Sequence, residues 1–574
     1  MAHLIRQKPA YDDAVPATEA IPPQMARYEY MHFPYVEPPE LGGAAAKRRP
    51  VIVVGAGPVG LTAAIDLALH DVAVLVLDES DVVSVGSRAI CWAKRTLEIW
   101  DRLGVAERML AKGVTWNLGR VYHRDQELYS FNLAPEGGHK MPAFINLQQY
   151  YVEEFLIARA SELANRIELR WKNKVTGISS GAGGVELEVE TPGGRYRLEA
   201  DWVIAADGGR SSIRGMLGLP FPGEVFEERF LIADVHMQAE FPNERWFWFE
   251  PTFHRGESAL LHRQPDDIFR LDFQLGPSAD PELERRPERV LPRIRAVVGE
   301  TPFELEWSSV YAFRCARMDR FVHGRVIFAG DSAHLVSPFG ARGGNGGIQD
   351  ADNLCWKLAS VLNGEARASL LDSYDEERGR GADENILNST RTTNFMTPKT
   401  AAERLFRDSI LALARGFPFA RSLVNAGRLS KPCSLEALSL QSDDDQELGG
   451  AMVPGAPCAD APIVDAGGRP GWLLEHLGGN FTLLVLADTP AEIPDSFALA
   501  GIEPAPGLCV VSRNGLQGCK NPMLLDPEGL VHARYGGAGA VYLVRPDQHV
   551  AARFRGFDAA AIHRALLRAC GNAA

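Results

Sequence analysis

The chain has no run of about 20 consecutive apolar residues, the length a helix needs to cross a bilayer, so no membrane span is expected. It has no basic tract either. Lys and Arg number 60 against 74 Asp and Glu, a formal net charge of −14. A nucleic-acid or anionic-membrane partner needs a concentrated positive face, and this balance argues against one. The cysteines, at 91, 315, 355, 433, 458, 509, 519 and 570, form no CxxC pair and no paired Cys/His spacing. Neither a zinc site nor a disulfide framework is expected, and the usage fits a reducing cytoplasm. The first 50 residues also lack a positively charged start followed by an apolar stretch, so no secretory signal is expected.

What is present is a chain of 574 residues, 46% hydrophobic and 23% charged, too long for one compact core and suited to two to four domains. Residues 1–48 form a proline-rich arm whose aromatics Tyr28, Tyr30, Phe33 and Tyr35 predict packing on the body or on a partner subunit. Order begins at Val51. Val51–Val54 reads as a buried strand, a glycine turn follows, a helix runs from Pro58 to His70, and a second strand runs from Val72 to Leu77, ending at Asp78. That is a βαβ unit. Gly181–Gly184 and Pro192–Gly194 bracket an alternating strand and predict a hairpin. Residues 221–310 are rich in aromatics and alternation, helical periodicity dominates 347–380 and 400–427, and a small α/β domain follows a boundary near 430–450.

Three motifs carry chemistry. In Gly55-Ala56-Gly57-Pro58-Val59-Gly60, Gly55 permits the turn, Gly57 lets backbone approach a pyrophosphate, and Gly60 lets helix and strand pack closely. The helix start offers unpaired N–H groups to phosphate, and Asp78 stands where an acid accepts from ribose hydroxyls. The second motif is Val203-Ile204-Ala205-Ala206-Asp207-Gly208-Gly209, a strand running into an Asp-Gly turn. The third is Ala329-Gly330-Asp331-Ser332, followed by Pro338-Phe339-Gly340-Ala341-Arg342-Gly343-Gly344-Asn345 and a helix, a glycine loop that presents backbone donors to an anion or a ring edge.

In this order and spacing the triplet resembles the group A flavoprotein monooxygenases, the family of para-hydroxybenzoate hydroxylase and phenol hydroxylase, over residues 50 to 430. The resemblance implies an α/β fold with a Rossmann-like FAD-binding domain in two parts (49–220 and 311–430, the latter with interdomain helices). Between them it implies an inserted β-sheet substrate domain (221–310). The tail Tyr542–Val550 resembles the end of the family's thioredoxin-like C-terminal domain (431–574), here without a CxxC and so without redox activity. The resemblance places Gly55, Gly57, Pro58, Gly60 and Asp78 at the FAD adenosine end, and Arg88, Gln149 and Asp331 at its pyrophosphate and ribityl chain. Asp207 and Gly208 fall near both FAD and the nicotinamide coenzyme, and Pro338, Gly343, Gly344 and Asn345 fall along the isoalloxazine.

The activity so implied is hydroxylation of a phenolic substrate by a flavin C4a-hydroperoxide, with NADH or NADPH and dioxygen, in a cytoplasmic homodimer. Polyketide tailoring, halogenation (on the likeness of Trp246-Phe247-Trp248-Phe249-Glu250-Pro251 to a halogenase signature) and a non-catalytic flavin-binding role are the alternatives. For the group that handles the phenol proton, Arg229, His254, His262 and Tyr311 are the candidates, with Trp246, Trp248 and Arg270 beside them. Arg229, Arg270 or Arg342 could hold a substrate carboxylate. Two residues depart from the family pattern: Ser332 after Gly330-Asp331, and Gly379 where a proline usually follows the Glu-Arg pair.

Overall fold

The computed structural model describes residues 28–43, 47–133, 136–424, 430–444, 448–494, 502, 504–516 and 523–572. Strand β1 (Arg49–Val54), helix α1 (Pro58–Leu69) and strand β2 (Val74–Asp78) form the expected βαβ unit. Strand β1 pairs in parallel with β2 on one side and with Gly194–Ala205 on the other, and the parallel ladder extends to Ile167–Trp171 and Val326–Phe328. Parallel strands covered on both faces read as unbroken apolar runs, which is why Val51–Val54 and Leu75–Leu77 are legible in the sequence and buried in the fold. The expected hairpin pairs Gly184–Thr191 with Gly194–Ala205. A short strand β3 (Cys91–Ala93) joins a separate three-stranded sheet with Val114–Trp116 and Phe144–Asn146.

A second sheet is built from β4 (Gly223–His236), β5 (Glu244–Phe249), β6 (Ser258–Arg263), β7 (Ile268–Leu275) and β8 (Glu304–Arg317). Its central order is β8-β4-β7-β6-β5, and Leu118–His123 and Gln126–Asn132 extend it beyond β5. Because side chains alternate between faces, each strand serves two cores. Leu231, Ala233, Trp248, Leu271 and Phe273 cluster with Val290 and Ile294 of the helix Pro287–Val298. Phe230, Phe247, Phe249, Leu260 and Phe313 cluster on the opposite face with Phe339. Trp246 and Trp248, the halogenase-like pair, therefore lie on the face away from Phe339.

Helices α2 (Gly343–Leu362) and α3 (Asp372–Met396) return the chain to the first sheet. The arm packs on the body over its described part: Tyr28 stacks on Tyr150 at 4.0 Å, Phe33 stacks on Trp171 at 4.4 Å, and the Tyr30 hydroxyl accepts from Gly86 N at 3.0 Å. Residues 1–27, within the same expectation, lie outside the described residues.

The C-terminal part carries a seven-stranded mixed sheet and the helix Ala559–Ala569. Cys458, Cys509 and Cys570 are free, and burial pushes their thiols up to about 12, 12 and 11, so they remain protonated. Cys519 lies outside the described residues. A buried polar network fastens this part to α2 and α3. Arg545 donates to Glu377 Oε1 at 2.6 Å and Oε2 at 2.9 Å and to Asp547 Oδ1 at 3.0 Å. Lys357 Nζ reaches Glu377 Oε2 at 2.7 Å and Asn353 Oδ1 at 2.9 Å, and Gln441 Nε2 donates to Glu377 Oε1 at 3.1 Å. Against the cost of its burial, Arg545 and Lys357 hold the Glu377 carboxyl well below the usual range.

Candidate active site

The three motifs meet at one cleft along the carboxyl ends of the parallel strands, where open α/β sheets bind ligands. Gly55 follows β1 with φ 107°, a backbone state that L side chains rarely adopt, and a Cβ there would sit 2.4 Å from the Ala206 carbonyl oxygen. That close approach joins the glycine turn to the Asp207-Gly208 loop. Asp78 pins the same turn from β2: its Oδ2 accepts from Ala56 N at 2.7 Å and its Oδ1 from Ser80 N at 2.8 Å. Burial raises its carboxyl, and these two bonds work the other way.

The Asp207-Gly208 and Gly330-Asp331 segments are bridged by Arg214, which donates to the Ser332 carbonyl at 2.7 Å and to the Gly209 carbonyl at 2.8 Å. Asp207 Oδ2 accepts from Ile213 N at 3.1 Å, while its Oδ1 is buried without a partner among the described residues. Asp350 fixes the other side of the Gly330 turn. It accepts from Gly330 N at 2.9 Å, His334 Nε2 at 2.7 Å and Arg378 Nε at 2.6 Å. Despite burial, His334 and Arg378 hold its carboxyl far below the usual range. This clamp was not foreseen. Its signal was the Glu-Arg pair at 377–378, each member of which anchors a buried network. The hydroxyl of Ser332, the first departure, is satisfied by the Ala205 carbonyl at 2.6 Å.

Arg88 is solvent-accessible with φ 45°, an uncommon conformation for a non-glycine residue. Gln149 braces its loop by accepting from Ala89 N at 3.3 Å and donating to Glu153 at 2.8 Å. Asp331 is exposed at the Gly330 turn. At the start of α2, Asn345 is saturated: its Oδ1 accepts from Ala93 N at 2.8 Å and Thr96 Oγ1 at 2.6 Å, and its Nδ2 donates to the carbonyls of Cys91 at 2.9 Å and Ala341 at 2.6 Å. Its side chain is thus a pin between α2 and β3, which leaves only its backbone N–H for a ligand.

These residues fit FAD. A Cβ on Gly57 or on Gly208 would meet nothing within 4 Å, so both flank open space. No side chain caps α1 or α2, whose first N–H groups are left to an anion or a ring edge. A separate cavity of about 260 Å³ lies between Lys94–Arg102 and the C-terminal part. It is lined by Arg102, Lys140 and Glu475, whose charges already pair with one another or with neighbours, and by no residue of the glycine loops. We take the cleft as the functional site on that ground.

The second sheet separates the four candidates by face. His262 and Tyr311 lie on the face shared with Phe230, Phe247 and Phe339, and Tyr311 feels the charges of Arg88 and Arg270. Arg229 and His254 are not brought there. The Arg229 guanidinium donates to the Ala279 carbonyl, and His254 Nε2 sits 2.6 Å from the Gln274 carbonyl with its ring against Phe273 of the opposite core. Arg342 is buried and donates to Asn385 Oδ1 at 3.0 Å.

A family model described as FAD binding domain matches residues 48–389. A flavin-dependent monooxygenase of Mycobacteroides abscessus is 32% identical over 349 residues, 57% of this chain and 70% of that protein. A 3-(3-hydroxy-phenyl)propionate/3-hydroxycinnamic acid hydroxylase of Mycolicibacterium smegmatis is 29% identical over 363 residues, 63% of this chain and 64% of that protein. The match thus spans about two thirds of the length of these relatives. Among solved structures, the flavin-dependent monooxygenase PieE in complex with FAD and substrate has a TM-score of 0.76 at 22% identity, covering 92% of this chain and 100% of that one. The fold is therefore shared. The chain belongs to the FAD binding domain family, and FAD is its cofactor.

Proposed function

We propose that this chain is a single-component hydroxylase of phenolic rings, using NADH or NADPH and dioxygen. The observation that supports the reading is that a glycine-lined cleft that fits FAD adjoins the sheet face carrying His262 and Tyr311, Arg270 of that face donating to the Arg88 carbonyl at 2.7 Å. Bound FAD would supply hydride acceptance from the coenzyme and activation of dioxygen for transfer to the ring. The chain's own residues then have three tasks. Gly57, Gly60 and the start of α1, with Asp78, would bind the adenosine end. Arg88, Gln149 and Asp331 would hold the pyrophosphate and ribityl chain, with Asp207 and Gly208 beside the nicotinamide. Pro338, Gly343 and Gly344 would leave a flat opening for the ring system.

Tyr311 would accept a hydrogen bond from a phenol hydroxyl, which makes the ring more electron-rich without moving the proton off the substrate. Burial raises the Tyr311 hydroxyl, so it stays protonated at neutral pH. Phe230, Phe313 and Phe339 exclude water around it, with ring centroids 4.9–5.5 Å apart.

The division into an arm, a two-part flavin domain, an inserted sheet and a redox-inactive thioredoxin-like domain belongs to the same reading, as does a cytoplasmic homodimer. Free cysteines support a reducing compartment, and exposed Leu405, Phe406, Phe417 and Phe419 support self-association.

The test is coenzyme oxidation by the FAD-loaded protein with a panel of phenols and phenolic acids. A hydroxylated product equal to the coenzyme consumed supports the reading. Failure to bind FAD, or oxidation that no phenol stimulates, overturns it.

A further inference from the structure

Four adjacent strands place Arg245, His262, Arg270 and Asp234 in one row, with Arg245 opposite His262, His262 opposite Arg270, and Arg270 opposite Asp234. Asp272 follows two residues after Arg270 on the same face of β7. The row shares its face with Phe247 and Leu260. All four members are nearly sealed from solvent, at 6%, 4%, 5% and 2% exposure.

Half of this row is complete. Arg270 donates to Asp234 Oδ1 at 3.1 Å, to the Arg88 carbonyl at 2.7 Å and to the Ser87 hydroxyl, and Asp234 also accepts from Gln264 Nε2 at 3.0 Å. The other half is open. Arg245 Nε has no hydrogen-bond partner, and no carboxylate among the described residues forms an ion pair with its guanidinium. His262 Nδ1 and Asp272 Oδ1 are likewise buried without partners. Burial and the two flanking arginines keep the His262 ring neutral at neutral pH, so it adds no charge. A buried guanidinium is ordinarily retained only with a partner; here none is found among the described residues.

The unpaired end of the row lies beside β3. The Cys91 thiol feels the charges of Arg245, Arg270 and Asp272, which places β3 against this end of the row. On its other side, β3 is pinned to the start of α2 by Asn345, through Ala93 N and the Cys91 carbonyl. One short strand thus separates the unpaired arginine from the loop proposed to hold the isoalloxazine. Farther along the same face, Phe247, Leu260 and Phe230 cluster with Phe339.

Resting on the hydroxylase reading, we propose that Arg245 is an anion-binding residue of the substrate chamber, and that the phenolic substrate carries a carboxylate which this guanidinium holds, with His262 beside it. A planar fork suits a carboxylate bidentately. The acid would lie at the polar end and the ring along Phe247 and Leu260 toward the flavin loop. A neutral phenol would leave the guanidinium buried and unpaired.

The test titrates the FAD-loaded protein with hydroxybenzoates, hydroxyphenylacetates and hydroxyphenylpropionates and with their primary amides, following the flavin absorbance change. The acid that fits should bind on the order of 100-fold more tightly than its amide. Arg245→Met should erase that preference, and Arg245→Lys should restore part of it. Arg229→Met, on the opposite face of the sheet, should leave the preference intact and so control for loss of an arginine. Retained flavin absorbance in each variant shows that the fold and the cofactor site survive. Equal affinities for acid and amide in the unaltered protein, or a preference that persists in Arg245→Met, would overturn the proposal. Tight acid binding without coenzyme oxidation or hydroxylated product would leave the Arg245 site standing and remove the hydroxylase reading instead.

Discussion

Two buried polar clusters of this molecule invite comparison. At the junction with the C-terminal part, Arg545, Lys357, Glu377 and Asp547 each find partners within the chain. On the second sheet, Arg245 and His262 are also buried, and Asp272 is half-buried with its Oδ1 sealed from solvent, all with polar atoms that have no partner among the described residues. Burial alone does not distinguish them; completeness does. A closed network fixes how two parts of the fold dock. An open one carries an energetic cost that a ligand can relieve.

Mutations at the two clusters should therefore differ in sign. The largest effect is expected for Glu377→Ala, which strands Arg545 and Lys357 together: a loss of about 3–5 kcal/mol in urea unfolding. Asp272→Asn should act in the opposite direction. Burial pushes the Asp272 carboxyl up to about 6, above its unfolded value. The native state therefore holds the proton more tightly, and this favourable linkage is complete below about pH 4 and lost as pH rises through about 6. The variant should match the unaltered protein near pH 4 and exceed it by about 3 kcal/mol at pH 8. A variant uniformly weaker at all pH values would show that Asp272 is paired after all.

Smaller still is the expected effect of Arg245→Met on the protein without substrate: neutral to about 1 kcal/mol more stable in the same unfolding experiment. A loss comparable to that of Glu377→Ala would make Arg245 structural and collapse the contrast.

The two clusters also differ in how visible they are in the sequence. The flavin cleft was legible because glycines and acids at fixed offsets obey local rules. A tight turn needs Gly55 whatever packs around it, and the buried runs of β1 and β2 declare a sheet covered on both faces. The polar face of the second sheet was not legible for an equally physical reason. In β7, Arg270, Asp272 and Gln274 alternate with Phe269, Leu271 and Phe273, a pattern that ordinarily means one face in water. Here that polar face is covered by Ser87, Arg88 and β3, which lie about 180 residues earlier in the chain.

Strand parity was hidden as well. Register shifts interrupt the pairing of β4 with β8 between Val225 and Arg229 and between Asp234 and Val235, so counting along the sequence does not say which side chains share a face. Arg229 fell on the far side for that reason, and His254 because it lies in the turn between β5 and β6 rather than on a strand, while His262 and Tyr311 fell on the near side. Arg245 passed unnoticed because the aromatics around it, Trp246 to Phe249, drew attention to bulk rather than to the single charge at an inward position. The tail at Arg545–His549 was noticed only as a resemblance; its role as a fastener required the fold to bring Glu377 beside it.

Under the proposed function, the cleft and the polar face of the sheet together form a chamber in which one atom of dioxygen reaches a phenolic ring. The most direct measurement is turnover of the FAD-loaded protein with its best-binding phenolic acid under isotopically heavy dioxygen, followed by mass spectrometry of the product. The account predicts one heavy oxygen atom in each product molecule, with one coenzyme oxidised per hydroxylation. Product oxygen drawn from water, or coenzyme consumption that yields only hydrogen peroxide with every substrate tried, would contradict it.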